Sequence, residues 1–90
     1  MKIIAVCGMG IGTSVLLKIN AEKVLKMLDI EATVEAADMS TARKASFDAQ
    51  IILTTPELVE SLRGVNAEII SIDHFFDLEE LSTKLSKALL

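Results

Sequence analysis

The chain has 90 residues, 51% hydrophobic and 24% charged, with a mass of 9.7 kDa and a mean hydropathy of +0.49; this fits one folded domain over residues 1–90 and excludes a disordered segment. A net charge of −4 and three aromatics, Phe47, Phe75 and Phe76, exclude nucleic acid as a partner, which needs a basic surface and stacking platforms. No apolar run reaches the roughly 18 residues of a membrane span, the N-terminus lacks a signal-peptide pattern, and the single cysteine, Cys7, excludes an internal disulfide or a CxxC pair, so the sequence reads as a cytoplasmic, not membrane-spanning, domain.

Lys2 to Val6 is an apolar run without helical period, the signature of a strand buried on both faces. Cys7-Gly8-Met9-Gly10-Ile11-Gly12-Thr13-Ser14 follows, with glycines at alternate positions that suit a tightly curved loop. From Ser14 to Leu28, Val15, Leu16, Ile19, Leu25 and Leu28 follow helical spacing while Lys18, Glu22 and Lys26 share another face, so the spacing predicts an amphipathic helix capped by Ser14 or Thr13.

Ala32 to Ala37 alternates as a second strand, and a short helix is expected over Ser40 to Ser46. Ala49 to Thr54 repeats the buried-strand signature. Thr55-Pro56 then starts a helix running to Arg63, with Thr55 as its cap and Gly64 at its end. Ala67 to Ile72 is the fourth strand, and Asp77 with Glu80 resembles a capping box before a helix with Leu78, Leu81, Leu85 and Leu89 on one face. Strands alternating with helices four times predict an α/β fold with a four-stranded parallel sheet joined by crossover connections.

The glycine-rich turn after the first strand lies at the carboxyl edge of such a sheet, where backbone amides and a helix N-terminus attract phosphate. A nucleoside-triphosphate loop needs GxxxxGK, and no lysine stands beside Gly12-Thr13-Ser14; a dinucleotide fingerprint needs GxGxxG, whereas Gly8, Gly10 and Gly12 are spaced GxGxG. The third phosphate reading puts Cys7 at the head of the loop, where amides and helix dipole would lower its pKa and make the thiolate a nucleophile toward phosphorus. Against it stands Cys7 as a small apolar side chain ending a buried strand; the three glycines and two hydroxyls that follow have no packing explanation and favour the nucleophile.

The Cys7–Ser14 string, between Lys-Ile-Ile-Ala-Val and Val15-Leu16-Leu17-Lys18, resembles the phosphorylation loop of the IIB components of the bacterial sugar phosphotransferase system, in the lactose/ascorbate group. Asn20 to Leu25, Glu35 to Asp38 and Thr54 to Leu58 are similar to the ascorbate-type members. The resemblance implies a three-layer α/β/α domain with no metal and no cofactor. It implies a relay in which a phosphohistidine on a IIA protein phosphorylates Cys7, and phospho-Cys7 passes the group to a sugar held by a membrane IIC permease, at whose inner face the protein would sit. Amides of Gly8, Met9, Gly10, Ile11, Gly12, Thr13 and Ser14 would then hold the phosphoryl oxygens, with the Thr13 and Ser14 hydroxyls as further donors.

Low-molecular-weight cysteine phosphatases, and arsenate reductases like them, use a similar loop with arginine where this chain has Thr13, so hydrolysis is the rival reaction. Asp73 is its candidate general acid, though a capping or solvated role is open to it. His74 could be a second phosphoryl carrier or a surface residue. Lys18, Lys23 and Lys26 could dock an acidic IIA surface or form a solvated helix face, and Met9 and Ile11 could meet a partner or, for Ile11, fold back on the sheet edge.

Overall fold

Apolar side chains alternate between the two faces of a single sheet in the computed structural model, which describes residues 1–8, 11–45, 47–74 and 76–89, residue 11 by its backbone alone. The strands are β1 Lys2–Ala5, β2 Thr33–Ala36, β3 Ile51–Thr54 and β4 Glu68–Ser71. They lie in the order β2-β1-β3-β4, every neighbouring pair parallel. Each is one or two residues shorter than the sequence predicts, β3 at its start and the others at least at their ends, although some of the pairing continues past the strand ends: Val6 N–H donates to Leu53 O at 2.9 Å and Ala37 N–H to Ala5 O at 3.0 Å.

The period of two along β1 separates the cores. Ile3, Ala5 and Cys7 join Val34, Ile51, Leu53 and Ile70 on the face covered by α1, Ile11–Met27, and α3, Leu78–Leu89. Ile4 and Val6 join Ile52 on the other face, with Ala42 of α2, Met39–Ala45, and Leu62. This is the expected three-layer α/β/α arrangement. The predicted end of the second helix, Ser46, lies outside the described residues.

Three local expectations are corrected. The buried stripe of α1 is Ser14, Leu17, Ala21, Val24 and Leu25, while Val15, Leu16 and Ile19 are exposed. Apolar residues stand on more than one side of this helix, and the small Ala21 allows close approach to the sheet on the side that is buried. In the second correction, Pro56–Arg63 is two 3-10 turns, Pro56–Leu58 and Glu60–Leu62, in place of one helix. An eight-residue stretch gains little from helix cooperativity. Its amides bond three residues back, Leu58 to Thr55 O at 3.0 Å and Leu62 to Val59 O at 3.1 Å. Thr55 makes no side-chain cap, and Gly64, at φ +87, takes the left-handed conformation that ends the segment.

Third, the box before α3 is half formed. Asp77 Oδ1 accepts from the Glu79 and Glu80 amides at 3.0 and 3.3 Å, as an N-cap should. The Glu80 carboxylate reaches past Asp77 instead of back to it, accepting from Asp73 N–H at 2.8 Å and His74 N–H at 2.9 Å. The loop after β4 is therefore clamped to the first turn of α3.

Candidate active site

Cys7 is the second residue beyond β1, and strand alternation aims it at the α1 side of the sheet. The order β2-β1-β3-β4 makes the gap between β1 and β3 the switch point: the chain leaves β1 toward α1 on one face and leaves β3 toward the 3-10 turns on the other. A ligand crevice forms at the carboxyl edge of such a gap. Gly8 borders the segment that follows β3. A side-chain carbon built on Gly8 would stand 3.4 Å from Leu58 Cδ2 and 3.8 Å from Glu57 Oε1, ordinary contact distances that put Gly8 against this segment.

Helix α1 begins at Ile11, three residues before the sequence reading placed it. Thr13 and Ser14 therefore sit inside its first turn and are not its N-cap. The first amides of an α-helix have no carbonyl partner within the helix, so those of Ile11, Gly12 and Thr13 face the carboxyl edge as donors, with the positive end of the helix dipole behind them. A side-chain carbon on Gly12 would meet no atom of the described residues within 4 Å. Packing gives no reason for glycine there. The expected roles of Met9, Gly10 and the Ile11 side chain fall outside the described residues.

Ser14 is 1% exposed and binds inward. Its Oγ accepts from Cys7 N–H at 3.0 Å and lies 3.5 Å from Ala37 O, tying the ends of β1 and β2 to α1. The sequence suggests this hydroxyl as a phosphate donor; in the structure it accepts from Cys7 N–H and thereby supports Cys7.

The electrostatics at Cys7 also differ from expectation. Burial pushes the thiol above its ordinary value, the Ser14 side chain opposes that by hydrogen bonding, and the Glu57 carboxylate adds a further upward push. Glu57 is itself held below the ordinary carboxylate range, first by its own backbone N–H and then by the nearby Thr55 hydroxyl. Burial and the adjacent anion outweigh the Ser14 hydrogen bond, which favours the thiol form of Cys7. Among the described residues neither Thr54 Oγ1, at the end of β3, nor Thr55 Oγ1 has a hydrogen-bond partner, although both are buried, so the Thr55 hydroxyl acts on Glu57 through its nearby dipole.

The other candidates stand apart. Asp73 and His74 follow β4, which β3 separates from β1 by roughly 10 Å at two strand spacings. Both amides are taken by Glu80, and the His74 side chain is 77% exposed with Nδ1 3.4 Å from Glu80 Oε1. That is a loop anchor. Lys18 pairs with Glu22 at 3.3 Å on the solvated side of α1. A groove of about 620 Å³ lined by Glu22, Lys26, Asp29 and Thr33 lies at the amino edge of the sheet, away from Cys7. Among the described residues no three His, Cys, Asp or Glu side chains are grouped to hold a metal, and no helix is long and apolar enough to cross a membrane.

Comparison with known proteins identifies relatives of this chain. Residues 2–87 match the family described as the lactose/cellobiose-specific IIB subunit of the PTS system. The ascorbate-specific PTS system EIIB component of Mycoplasma pneumoniae is 37% identical over 90 residues, covering 99% of this chain and 95% of that protein. The lactose-specific IIB component domain of the phosphoenolpyruvate:carbohydrate phosphotransferase system from Streptococcus pneumoniae superposes with a TM-score of 0.67 at 16% identity, over 99% of this chain and 94% of that one. The last likeness establishes the fold.

Proposed function

The chain belongs to the lactose/cellobiose-type IIB family, a component of the sugar phosphotransferase system, and on that premise we propose that Cys7 is its phosphorylated residue. The Cys7 thiolate takes a phosphoryl group from a phosphohistidine of a IIA protein and gives it to a sugar bound by a membrane IIC protein. Ascorbate is the sugar favoured by the 37% identical relative, which is named for it.

The observation that carries this reading is the junction at the carboxyl edge: Cys7 lies four residues before the first turn of α1, and a side-chain carbon on Gly12 in that turn would meet no atom of the described residues within 4 Å. In the first transfer the thiol loses its proton to solvent, the Sγ–P bond forms as the P–N bond breaks, and the electron pair returns to the histidine ring. In the second a sugar oxygen attacks phosphorus, the S–P bond breaks and its electron pair leaves on Sγ, the hydroxyl proton passing to solvent. Both transition states put charge on the three equatorial oxygens, which the amides of Gly8, Ile11, Gly12 and Thr13 can meet without reorganising. Met9 and Gly10 complete the proposed cradle by sequence.

The raised thiol pKa fits a carrier that becomes reactive when docking supplies the electrophile and excludes water. Val15, Leu16 and Ile19, exposed along the first half of α1, give the apolar surface on which IIA and IIC would dock in turn. Hydrolysis as the physiological reaction is disfavoured by Thr13 in the position where related phosphatases carry arginine. Incubation with the phosphoryl donor enzymes tests the reading: intact mass should rise by one phosphoryl group in the wild type and stay unchanged in Cys7→Ser. Turnover of an aryl phosphate without a donor protein would favour the phosphatase instead.

A further inference from the structure

We propose that the Glu57 carboxylate is an electrostatic counterweight to the phosphoryl group on Cys7, keeping it weakly held and ready to leave; this rests on the carrier reading above.

The geometry places a carboxylate beside Gly8, the residue after Cys7. Leu58 packs against Gly8, with 3.4 Å from its Cδ2 to a carbon built on that glycine, and the neighbouring Glu57 Oε1 comes within 3.8 Å of the same point. Pro56 and the Leu58 N–H bond to Thr55 O at 3.0 Å shape the turn that holds Glu57 there. Its charge is felt at the thiol, and its own lowered pKa keeps it ionised at neutral pH. A carboxylate at a phosphate loop opposes the binding that the loop amides favour. Its cost to the unmodified protein is small, because the thiol is neutral.

Once Sγ carries the phosphoryl group, about two negative charges face the carboxylate. Repulsion then raises the phosphorylated state relative to the free one. Cleavage of the S–P bond relieves part of it, since two charges depart and at most one returns on the thiolate. Glu57 neither accepts a proton nor bonds to phosphorus; it sets how far the exchange with phosphohistidine runs toward cysteine and how readily the group moves on. An electrostatic role needs the charge, so Glu57→Gln should abolish it and Glu57→Asp should retain most of it.

Two readouts test this. The pH midpoint for alkylation of Cys7 by iodoacetamide should fall in Glu57→Gln and return toward the wild-type value in Glu57→Asp. At equilibrium with phosphorylated IIA, phosphorus NMR should show the ratio of phosphocysteine to phosphohistidine raised roughly three- to thirty-fold in Glu57→Gln, the gain shrinking in about 0.5 M salt. Glu57 is exposed, so both variants should fold, and circular dichroism verifies it. A wild type that accepts no phosphoryl group overturns the carrier reading and this inference together. A wild type that accepts it, beside a Glu57→Gln variant with unchanged ratio and unchanged midpoint, overturns this inference alone.

Discussion

The Cys7 backbone N–H donates to the Ser14 hydroxyl at 3.0 Å, joining the end of β1 to the first turn of α1 and fixing the span of the loop between them. Ser14→Ala would leave that buried amide without its partner, a loss of about 1–3 kcal/mol. For a domain of this size each kcal/mol lowers the melting temperature by roughly 4–8 °C. The same change removes a hydrogen bond that holds the thiol pKa down, so the alkylation midpoint of Cys7 should rise. Thermal unfolding and the alkylation profile should shift together; an unchanged melting temperature would show the bond to be dispensable.

Gly12 separates folding from function. Because a side-chain carbon there meets no atom of the described residues within 4 Å, Gly12→Ala should fold normally and gain up to about 1 kcal/mol from helix propensity. The added methyl would enter the space proposed for the phosphoryl group and slow transfer from IIA by tenfold or more. Higher thermal stability with lower phosphorylation rate is the expected pair of results, and a variant as active as the wild type would move the phosphoryl site elsewhere.

Glu80 gives the fold an acid-sensitive clamp. Burial pushes its pKa up, but the Lys84 ammonium at 2.8 Å and the Asp73 and His74 amides prevail and hold it at about 2. A carboxyl whose folded pKa lies below its ordinary 4.5 stabilises fully above that value and loses its contribution as pH falls through about 2. Urea midpoints measured from pH 6 to 2 should therefore decline in the wild type, and Glu80→Gln should start lower, by about 1–2 kcal/mol, with a shallower decline. Equal slopes in the two proteins would remove Glu80 from the acid response.

Strands β1 and β3 were legible because Ile3-Ile4-Ala5-Val6 and Ile51-Ile52-Leu53 have no helical period and are buried on both faces. Cys7 stood out because three glycines crowd it. The orientation of α1 was not legible: Val15, Leu16 and Ile19 compete with Leu17, Val24 and Leu25 for the buried side, and the sheet decides between them. The supports of the site were hidden for a similar reason. Ser14 reads locally as a helix cap, yet its partners are Cys7 N–H and Ala37 O, on strand ends that only folding brings beside it. Glu57 reads as an ordinary first-turn acid, and becomes a neighbour of Gly8 only because β3 pairs with β1.

The central claim, a phosphoryl group carried on sulfur at Cys7, is tested most directly by phosphorus NMR of the protein after exposure to phosphorylated IIA. The account predicts a single thiophosphate resonance that is absent in Cys7→Ser and discharges when a IIC membrane preparation and its sugar are added. A phosphoryl resonance that persists in Cys7→Ser would contradict it.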